Sequence, residues 1–322
     1  MKKIGVLTSG GDSPGMNAAI RAVVRTALYH NIQVYGFKRG YNGLVNKDYR
    51  EMDRHSVGNI LQHGGTILGT ARSAEFKTQP GMEKAKNNMD ELGINGLVVI
   101  GGDGTMHGAH EFSQKYAFPM IGLPGTIDND LYGTDLTIGF DTAINSALEA
   151  VDRIRDTASS LERVFFIEVM GRYAGFIGLA VGLAGGAEDV LIPETPTDIP
   201  ALAEKINETM QCGKKFSIII VAEGDEAGNA FQIAEKVKKL TKQDYRVAIL
   251  GYIQRGGSPT AVDRILAMRL GYAAVQNLRN GTHGCMVGEI NYRTVCTPFK
   301  ETFTRKKKID SELQKIIHML AR

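Results

Sequence analysis

The sequence predicts an α/β fold class with mainly parallel sheets. Short apolar runs alternate with segments of helical period along the 322 residues. The chain has 38 glycines, above the usual share of about 7%, and they cluster where apolar runs end, as turns between strands and helices require. Together with a hydrophobic content of 43%, these features predict two Rossmann-like α/β domains whose sheets face an active-site cleft.

The predicted strands are the apolar runs, and helical segments separate them. In chain order they are Ile4–Leu7, Val34–Phe37, Leu97–Ile100, Met120–Leu123, Val164–Val169, Phe216–Ala222 and Val247–Leu250. The first helix is predicted to run through Arg21 and Arg25. A later helix is predicted to begin at Asp141, because this residue type is a suitable N-cap and apolar residues recur behind it at three- and four-residue steps.

No Pro-rich or Ser-rich linker divides the chain, so the domain boundary is predicted to lie inside compact sequence. The boundary is placed near residue 138, before the helix predicted at Asp141, with a possible return of the chain to the first domain near residue 255. The larger domain would then comprise residues 1–138 and about 255–308, and the smaller domain residues 139–254 and about 309–322.

Composition argues against several function classes. The net charge is +3 and basic residues are scattered, so we expect no nucleic-acid partner. The one basic run, Arg305–Lys308, is predicted to be a solvated turn. Cys212, Cys285 and Cys296 have neither metal-ligand nor disulfide spacing, which favours a reducing compartment. No apolar run approaches the roughly 20 residues of a membrane span, so we expect no membrane association and a cytoplasmic location.

Two segments predict a phosphoryl-transfer site. The run Leu97–Ile100 leads directly into Gly101–Thr105, which places bare backbone N–H groups and a helix N-terminus at one point, where a phosphate is favoured. The acidic segment Pro124–Asp130 follows. Carboxylates near a phosphate require a divalent cation between them, and Mg²⁺ suits one or two carboxylates plus phosphate oxygens. A capped tight turn in the first segment and an Asx-turn in the second are the structural alternatives.

Cationic and acidic side chains adjoin other predicted strands. Arg172 and Arg255 follow strands and Arg163 and Arg246 head strands, and a guanidinium donates two hydrogen bonds at once to a phosphate. Glu223 ends the run Phe216–Ala222 and suits a sugar hydroxyl, with helix capping as the alternative.

Six motifs resemble those of the bacterial ATP-dependent 6-phosphofructokinase family, and the resemblance extends from Met1 nearly to the C-terminus. They are Thr8–Ala18, Gly101–Gly104, Pro124–Asp130, Ile154–Ala158, Met170–Arg172 and Gln254–Gly257. The resemblance implies Mg²⁺-dependent transfer of the γ-phosphoryl group of ATP to the C1 hydroxyl of fructose 6-phosphate, which gives fructose 1,6-bisphosphate in glycolysis.

The resemblance also implies roles for individual residues. Asp128 would be the base for the C1 hydroxyl, Asp103 would bind Mg²⁺, and Asp130 would help to hold the metal through water. The other implied catalytic residues are Thr126, Arg72 and Arg172. The implied ATP site comprises Gly11, Arg72, Ser73, Lys77, Gly102, Asp103, Gly104, Thr105 and Gly108.

The implied sugar-phosphate site includes arginines of a neighbouring subunit, Arg163 and Arg246. Its members are Thr126, Asp128, Asp130, Arg163, Met170, Gly171, Arg172, Glu223, Arg246, Tyr252 and Arg255. The resemblance also implies a homotetramer. The family also implies a regulatory site for ADP or phosphoenolpyruvate, with the residues Arg21, Arg25, Arg54, Arg155, Glu188, Lys214 and Lys215.

Two alternatives remain at the level of the sequence. The first is a pyrophosphate-dependent phosphofructokinase, because the segments Leu68–Ala74 and Tyr173–Phe176 resemble pyrophosphate-using or non-regulated branches. Against it, Gly104 and Gly125 stand where pyrophosphate users typically carry bulkier residues, and small residues leave room for the ADP moiety of ATP. The second is a non-enzymatic sensor of sugar phosphate or nucleotide.

Overall fold

The computed structural model describes residues 1–241 and 243–321 and divides into two compact units. Unit 1 comprises Met1–Thr142 and Arg255–Lys307, and unit 2 comprises Ala143–Gln254 and Lys308–Arg322. Each unit contains its own sheet, and the helices of each unit cover the faces of that sheet.

Unit 1 is built on a seven-stranded sheet with the order β11-β10-β5-β4-β1-β2-β3. Its strands are β1 (Lys3–Ser9), β2 (Gln33–Phe37), β3 (Tyr49–Met52), β4 (Leu97–Gly101), β5 (Met120–Pro124), β10 (Cys285–Ile290) and β11 (Arg293–Pro298). Its helices are α1 (Met16–Tyr29), α2 (Tyr41–Asn46), α3 (Gln79–Leu92), α4 (Asp103–Tyr116), α9 (Ala261–Arg279) and α10 (Phe299–Thr304). The pairings are parallel except at the two edges, where β3 and β11 run antiparallel to their neighbours.

The central strands of unit 1 are apolar throughout because both faces of the sheet are covered. On β4, Val98 and Ile100 join a core beneath α1 and α9. Leu97 and Val99 point to the opposite face and join a core beneath α2, α3, α4 and α10. This arrangement leaves the carboxyl ends of the strands as the edge at which polar groups can gather.

Unit 2 has a four-stranded parallel sheet with the order β7-β8-β6-β9. Its strands are β6 (Val164–Val169), β7 (Asp189–Leu191), β8 (Ser217–Ala222) and β9 (Tyr245–Ile249). Its helices are α5 (Phe140–Leu161), which begins at the end of the first segment of unit 1, α6 (Phe176–Ala184), α7 (Ile199–Gln211), α8 (Ala230–Thr241) and α11 (Ser311–Leu320). Within residues 1–241 and 243–321, no helix is both long enough and apolar enough to cross a bilayer.

The predicted fold class is confirmed, and each of the seven predicted strands is present within a few residues of its predicted bounds. The prediction missed β3, β7, β10 and β11. The edge strands β3 and β11 are largely exposed and β7 has only three residues, so they lack the apolar runs by which a strand is recognised.

The predicted start of α5 is wrong, because this helix begins at Phe140 rather than behind Asp141. Asp263 of α9 caps the N-terminus of this helix. The Asp263 carboxylate accepts hydrogen bonds from the backbone N–H groups of Gly139, at 2.7 Å, and Thr142, at 2.8 Å. Asp141 instead accepts a hydrogen bond from the Thr260 hydroxyl. A cap supplied from another helix leaves no local sequence signal.

Candidate active site

The carboxyl ends of the neighbouring strands β1 and β4 form a topological switch point. From β1 the chain continues to β2 on one side, and from β4 it continues to β5 on the other side. In open α/β sheets such a point is where ligands bind. Ser9 and Gly101 are register partners at this edge. A Cβ on Gly101 would lie 2.4 Å from the Ser9 carbonyl oxygen, so only glycine permits the approach. The two glycine-rich turns that follow these strands are therefore neighbours.

Side chains of α4 and α2 fix the turn after β4. The Thr105 hydroxyl donates to the Ser9 carbonyl, and the Tyr41 hydroxyl donates to the Thr105 carbonyl at 2.7 Å. The Tyr41 ring stacks on Phe76 with a centroid distance of 4.0 Å. Burial raises the pKa of Tyr41, so its hydroxyl stays a donor at neutral pH. Tyr41 is a positioning residue that the sequence analysis missed.

The acidic loop after β5 is held by its own chain. Asp128 is 8% exposed, and its backbone N–H faces the Thr126 hydroxyl at 3.3 Å. The Thr137 hydroxyl donates to the Thr126 carbonyl at 2.6 Å, and the Ile138 N–H donates to the Pro124 carbonyl at 2.8 Å. These bonds close residues 126–137 into a compact loop at the carboxyl edge of the sheet.

Asn129 organises the inside of this loop. Its backbone adopts a left-handed conformation with φ 54°, which asparagine tolerates better than most residues. Its Oδ1 accepts from the Thr137 N–H at 3.0 Å and its Nδ2 donates to the Asp135 carbonyl at 3.3 Å. Asn129 therefore sets the directions in which the adjoining Asp128 and Asp130 leave the backbone.

The prediction that Arg305–Lys308 is a solvated turn is wrong for one of its four residues. Arg305, Lys306 and Lys308 are exposed, but Lys307 is partly buried and donates to Asn129 Oδ1 at 2.8 Å. Burial lowers the pKa of Lys307 to about 8, although the Asp135 and Asp130 carboxylates oppose this shift.

The residues at the start of α4 fit a magnesium ion that is held mainly by a substrate. Asp103 is the first residue of α4 and its side chain is exposed beside two glycines. In residues 1–241 and 243–321, His, Cys, Asp and Glu do not form a group of three or more that could hold a metal alone. One exposed carboxylate beside a phosphate cradle suits Mg²⁺, which binds through one or two carboxylates and phosphate oxygens.

Other predicted ATP-site residues surround the same turns of unit 1. The Ser73 hydroxyl accepts from the Phe76 N–H at the start of a short 3₁₀ turn that ends at Lys77. The side chains of Arg72 and Lys77 are exposed. A Cβ on Gly108 would lie 3.1 Å from the Tyr41 ring. Arg255, which is predicted for the sugar-phosphate site, also lies over the first glycine turn, 4.0 Å from the Asp12 carboxylate.

The two glycines invoked for the choice of phosphoryl donor differ in the structure. A Cβ on Gly104 would meet open space, which agrees with the argument that this position leaves room for ADP. A Cβ on Gly125 would instead point into the core, 2.9 Å from Ile100 and 3.0 Å from Met16. The argument that a small residue leaves room for the ADP moiety of ATP is therefore wrong for Gly125, where core packing requires a small residue. It rests on Gly104 alone.

In unit 2 the carboxyl ends of β6, β8 and β9 bring another group of predicted residues to one edge. Arg172 follows β6 with φ 57°, an uncommon backbone conformation for arginine. Its N–H donates to the Glu223 carboxylate, which follows β8, at 3.2 Å. Gln254 accepts from the Met170 N–H at 2.9 Å. Gly171 lies between Met170 and Arg172 in the chain, and the exposed Tyr252 follows β9 at the same end of the sheet.

Arg163 and Arg246 lie at the opposite end of the unit 2 sheet, where its strands begin. Arg163 immediately precedes β6, and Arg246 is the second residue of β9 and the register partner of Phe165. A strand of six residues is about 17 Å long. These arginines are therefore separated from Met170 and Glu223 by nearly the length of a strand.

The predicted effector residues form a group in each unit. In unit 1, the Arg21 guanidinium donates to the Val57 carbonyl at 3.0 Å, and its pKa is lowered by burial and by the nearby Arg25; Arg54 is exposed close by in sequence. In unit 2, Glu188 pairs with Lys214 at 2.7 Å. Arg155 donates to the carbonyls of Gly185 and Gly186, and Lys215 pairs with Glu162.

Comparison with known proteins assigns a family to this architecture. A sequence model described as Phosphofructokinase matches residues 3–278. The chain is 56% identical over 321 residues to ATP-dependent 6-phosphofructokinase 1 of Thermus thermophilus, and the match covers 100% of both proteins. It is 51% identical over 321 residues to the ATP-dependent 6-phosphofructokinase of Cytophaga hutchinsonii, covering 99% of this chain and 98% of that protein.

Solved structures are similar over the whole chain. The phosphofructokinase of Saccharomyces cerevisiae has a TM-score of 0.91 and 35% identity; the match covers 100% of this chain and 48% of the yeast chain, so this chain spans about half of its length. A pyrophosphate-dependent phosphofructokinase of Marinobacter aquaeolei has a TM-score of 0.86 and 25% identity, with coverage of 100% and 92%.

Proposed function

We infer the activity of this chain from its family, since the chain belongs to the phosphofructokinase family. It is an ATP-dependent 6-phosphofructokinase, a glycolytic kinase that phosphorylates fructose 6-phosphate. The observation that carries this conclusion is identity of 51% to 56% over the full length to relatives named for ATP. The pyrophosphate alternative has less support, because the pyrophosphate-dependent structure is 25% identical.

For the chemistry, we propose that Asp128 accepts the proton of the C1 hydroxyl as the oxygen of that hydroxyl attacks the γ-phosphorus of ATP, while the bond from this phosphorus to the bridging oxygen breaks and ADP leaves. The loop that holds Asp128 supports this role, because a general base is effective when its geometry is set before the substrate arrives. Arg72, Arg172 and Thr126 would donate to the oxygens of the transferring phosphoryl group, on which negative charge accumulates.

For the donor, we propose that the turn after β4 and the N-terminus of α4 bind the phosphates of ATP. Bare N–H groups at a helix N-terminus favour anions. Asp103 would hold Mg²⁺, with Asp130 orienting it through water. When bound, this ion would neutralise charge on the phosphate oxygens.

For the assembly, we propose that Arg163 and Arg246 bind the 6-phosphate of the sugar in the site of a neighbouring subunit, within a homotetramer. Their separation from Met170 and Glu223 supports this proposal. Mixing Asp128→Asn subunits with Arg246→Ala subunits tests it, because a hybrid contains some sites that keep both residues. At a low concentration of fructose 6-phosphate, the mixture should be more active than the sum of the two separate variants, whereas activity no greater than that sum would contradict shared sites.

For regulation and location, we propose that the two groups of effector residues bind ADP or phosphoenolpyruvate between subunits, and that the enzyme acts in the cytoplasm. The cationic character of the groups supports an anionic effector. A change of the fructose 6-phosphate KM with either compound, lost in Arg25→Ala, is the expected result.

The experiment that tests the activity is Mg²⁺-dependent turnover of fructose 6-phosphate, run separately with ATP and with pyrophosphate and followed by phosphorus NMR. Fructose 1,6-bisphosphate from ATP, with little from pyrophosphate, is expected. Product mainly from pyrophosphate would contradict the donor assignment. No product from either donor, with binding of both substrates retained, would favour a sensor.

A further inference from the structure

Lys307 is the residue of the basic segment Arg305–Lys308 that turns inward. Its ammonium nitrogen lies 2.8 Å from Asn129 Oδ1 and 2.5 Å from the Asp135 carbonyl oxygen. Both acceptors belong to the acidic loop that contains Asp128. A residue 178 positions away in sequence thus completes the hydrogen bonding of this loop.

A second contact from the same segment falls on the same loop. The Arg305 guanidinium lies over the ring of Tyr132 at 4.6 Å from its centroid, a distance typical of a cation–π interaction. Arg305 is also paired with Glu301 of α10 at 2.7 Å. The segment therefore contacts the loop at Tyr132 and at Asn129, and α10 fixes one end of it.

Asn129 transmits the contact to the neighbouring carboxylates. Its Oδ1 accepts from both Lys307 and the Thr137 N–H, and its Nδ2 donates to the same Asp135 carbonyl that Lys307 contacts. The left-handed backbone of Asn129 has to be maintained by such contacts, because this conformation is sparsely populated. A change in this backbone would reorient Asp128 on one side and Asp130 on the other.

Stability alone does not account for a lysine at this position. Burial lowers the pKa of Lys307 to about 8 despite the nearby Asp135 and Asp130 carboxylates. The folded protein therefore disfavours the charged form of this side chain relative to water.

We propose that Lys307 is a positioning residue for phosphoryl transfer, and that its ammonium holds Asn129 so that Asp128 is aimed at the C1 hydroxyl of the sugar. The inference rests on the proposed role of Asp128 as base. In this role Lys307 acts through Asn129 rather than on the substrate.

The test compares three single variants in the full-length enzyme. Lys307→Met keeps the length of the side chain and removes its charge and donors, and Lys307→Arg keeps both charge and donors. Lys306→Met removes the charge of the exposed neighbour and serves as the matched control. For each variant kcat, the KM values for ATP and fructose 6-phosphate, and the unfolding temperature are measured.

We expect Lys307→Met to lower kcat about 10- to 100-fold, the cost of a small misplacement of a reacting group, with little change in either KM. Its unfolding temperature should change little, because Asn129 Oδ1 and the Asp135 carbonyl each keep another donor. Lys307→Arg should recover most of the loss and Lys306→Met should match the wild type. An unchanged kcat in Lys307→Met, a fall in unfolding temperature that accounts for lost activity, or an equal loss in Lys307→Arg would each overturn the proposal.

A double variant separates this inference from the proposal on which it rests. Asp128→Asn alone tests the base, and full kcat in that variant would reject Asp128 without reference to Lys307. In the Asp128→Asn background, Lys307→Met should have little further effect on kcat, because its target is already gone. The same fold-loss in both backgrounds would show that Lys307 does not act through Asp128.

Discussion

The acidic loop of unit 1 and the arginines of unit 2 differ in how firmly the chain holds them. Asp128 is 8% exposed in a loop whose backbone bonds are satisfied within unit 1. Arg172 and Arg246 are exposed, one near the carboxyl ends and one near the amino ends of the strands of their sheet. A base must be aimed before the substrate binds, whereas a guanidinium that recognises a phosphate gains its partner from the substrate.

The largest effect on turnover is expected at Asp128, the buried residue in this comparison. Asp128→Asn should lower kcat about 10²- to 10⁴-fold, the usual contribution of a general base, with KM values little changed. Asp135→Asn, which alters an exposed carboxylate of the same loop, is the matched control and should keep most of the activity. Steady-state kinetics with both substrates measures this, and comparable losses in the two variants would indicate a structural cause.

A smaller effect of a different kind is expected at the exposed cations. Arg246→Ala should raise the KM for fructose 6-phosphate about 10- to 100-fold, as loss of a charged hydrogen bond costs about 1.5–3 kcal/mol, while the KM for ATP holds. Arg246→Lys should retain part of the affinity, because it keeps the charge and loses the planar fork. A fall in kcat alone would show that Arg246 acts on the reaction rather than on binding.

The donor side can be examined at Gly104, where a side chain would meet open space. Gly104→Asp adds a carboxylate at the phosphate turn and should lower kcat/KM for ATP about tenfold, through repulsion of about 1–4 kcal/mol between like charges at close range near the protein surface. Gly104→Ala is the uncharged control and should lose much less. Equal losses would indicate that bulk or helix geometry, and not charge, is the cause.

The smallest expected effect concerns stability and lies away from both sites. Burial raises the pKa of Asp263 above 3.8, while hydrogen bonds from Gly139 and Thr142 oppose the shift. Between 3.8 and the raised pKa the folded state binds more protons at this carboxyl than the unfolded state does. Asp263 therefore makes the unfolding free energy fall as pH rises through this interval.

Urea unfolding of the wild type and of Asp263→Asn at a series of acidic pH values measures this slope. The unfolding free energy of the wild type minus that of the variant should decrease as pH rises, because asparagine does not titrate. A difference that increases with pH would show that the hydrogen bonds outweigh burial and lower the pKa of Asp263.

Much of the fold and part of the site could be predicted from the sequence, because the relevant signals are local. A buried parallel strand is an apolar run, as in Leu97–Ile100, and the glycines that follow it mark the turn where a ligand binds. The acidic segment Pro124–Asp130 and the arginines beside the strands were likewise visible as residue types at strand ends. The assignment to a family followed from the same segments.

The tertiary structure decided what depends on distant partners. Asp263 caps α5 from 124 residues away, and Lys307 reaches Asn129 across 178 residues. The core contacts of Gly125 and the position of Arg163 and Arg246 at the far edge of their sheet also follow from packing and strand direction. Sequence alone determined which elements form, because their periodicity is short-ranged; their partners were decided by the folded chain, because such hydrogen bonds leave no local pattern.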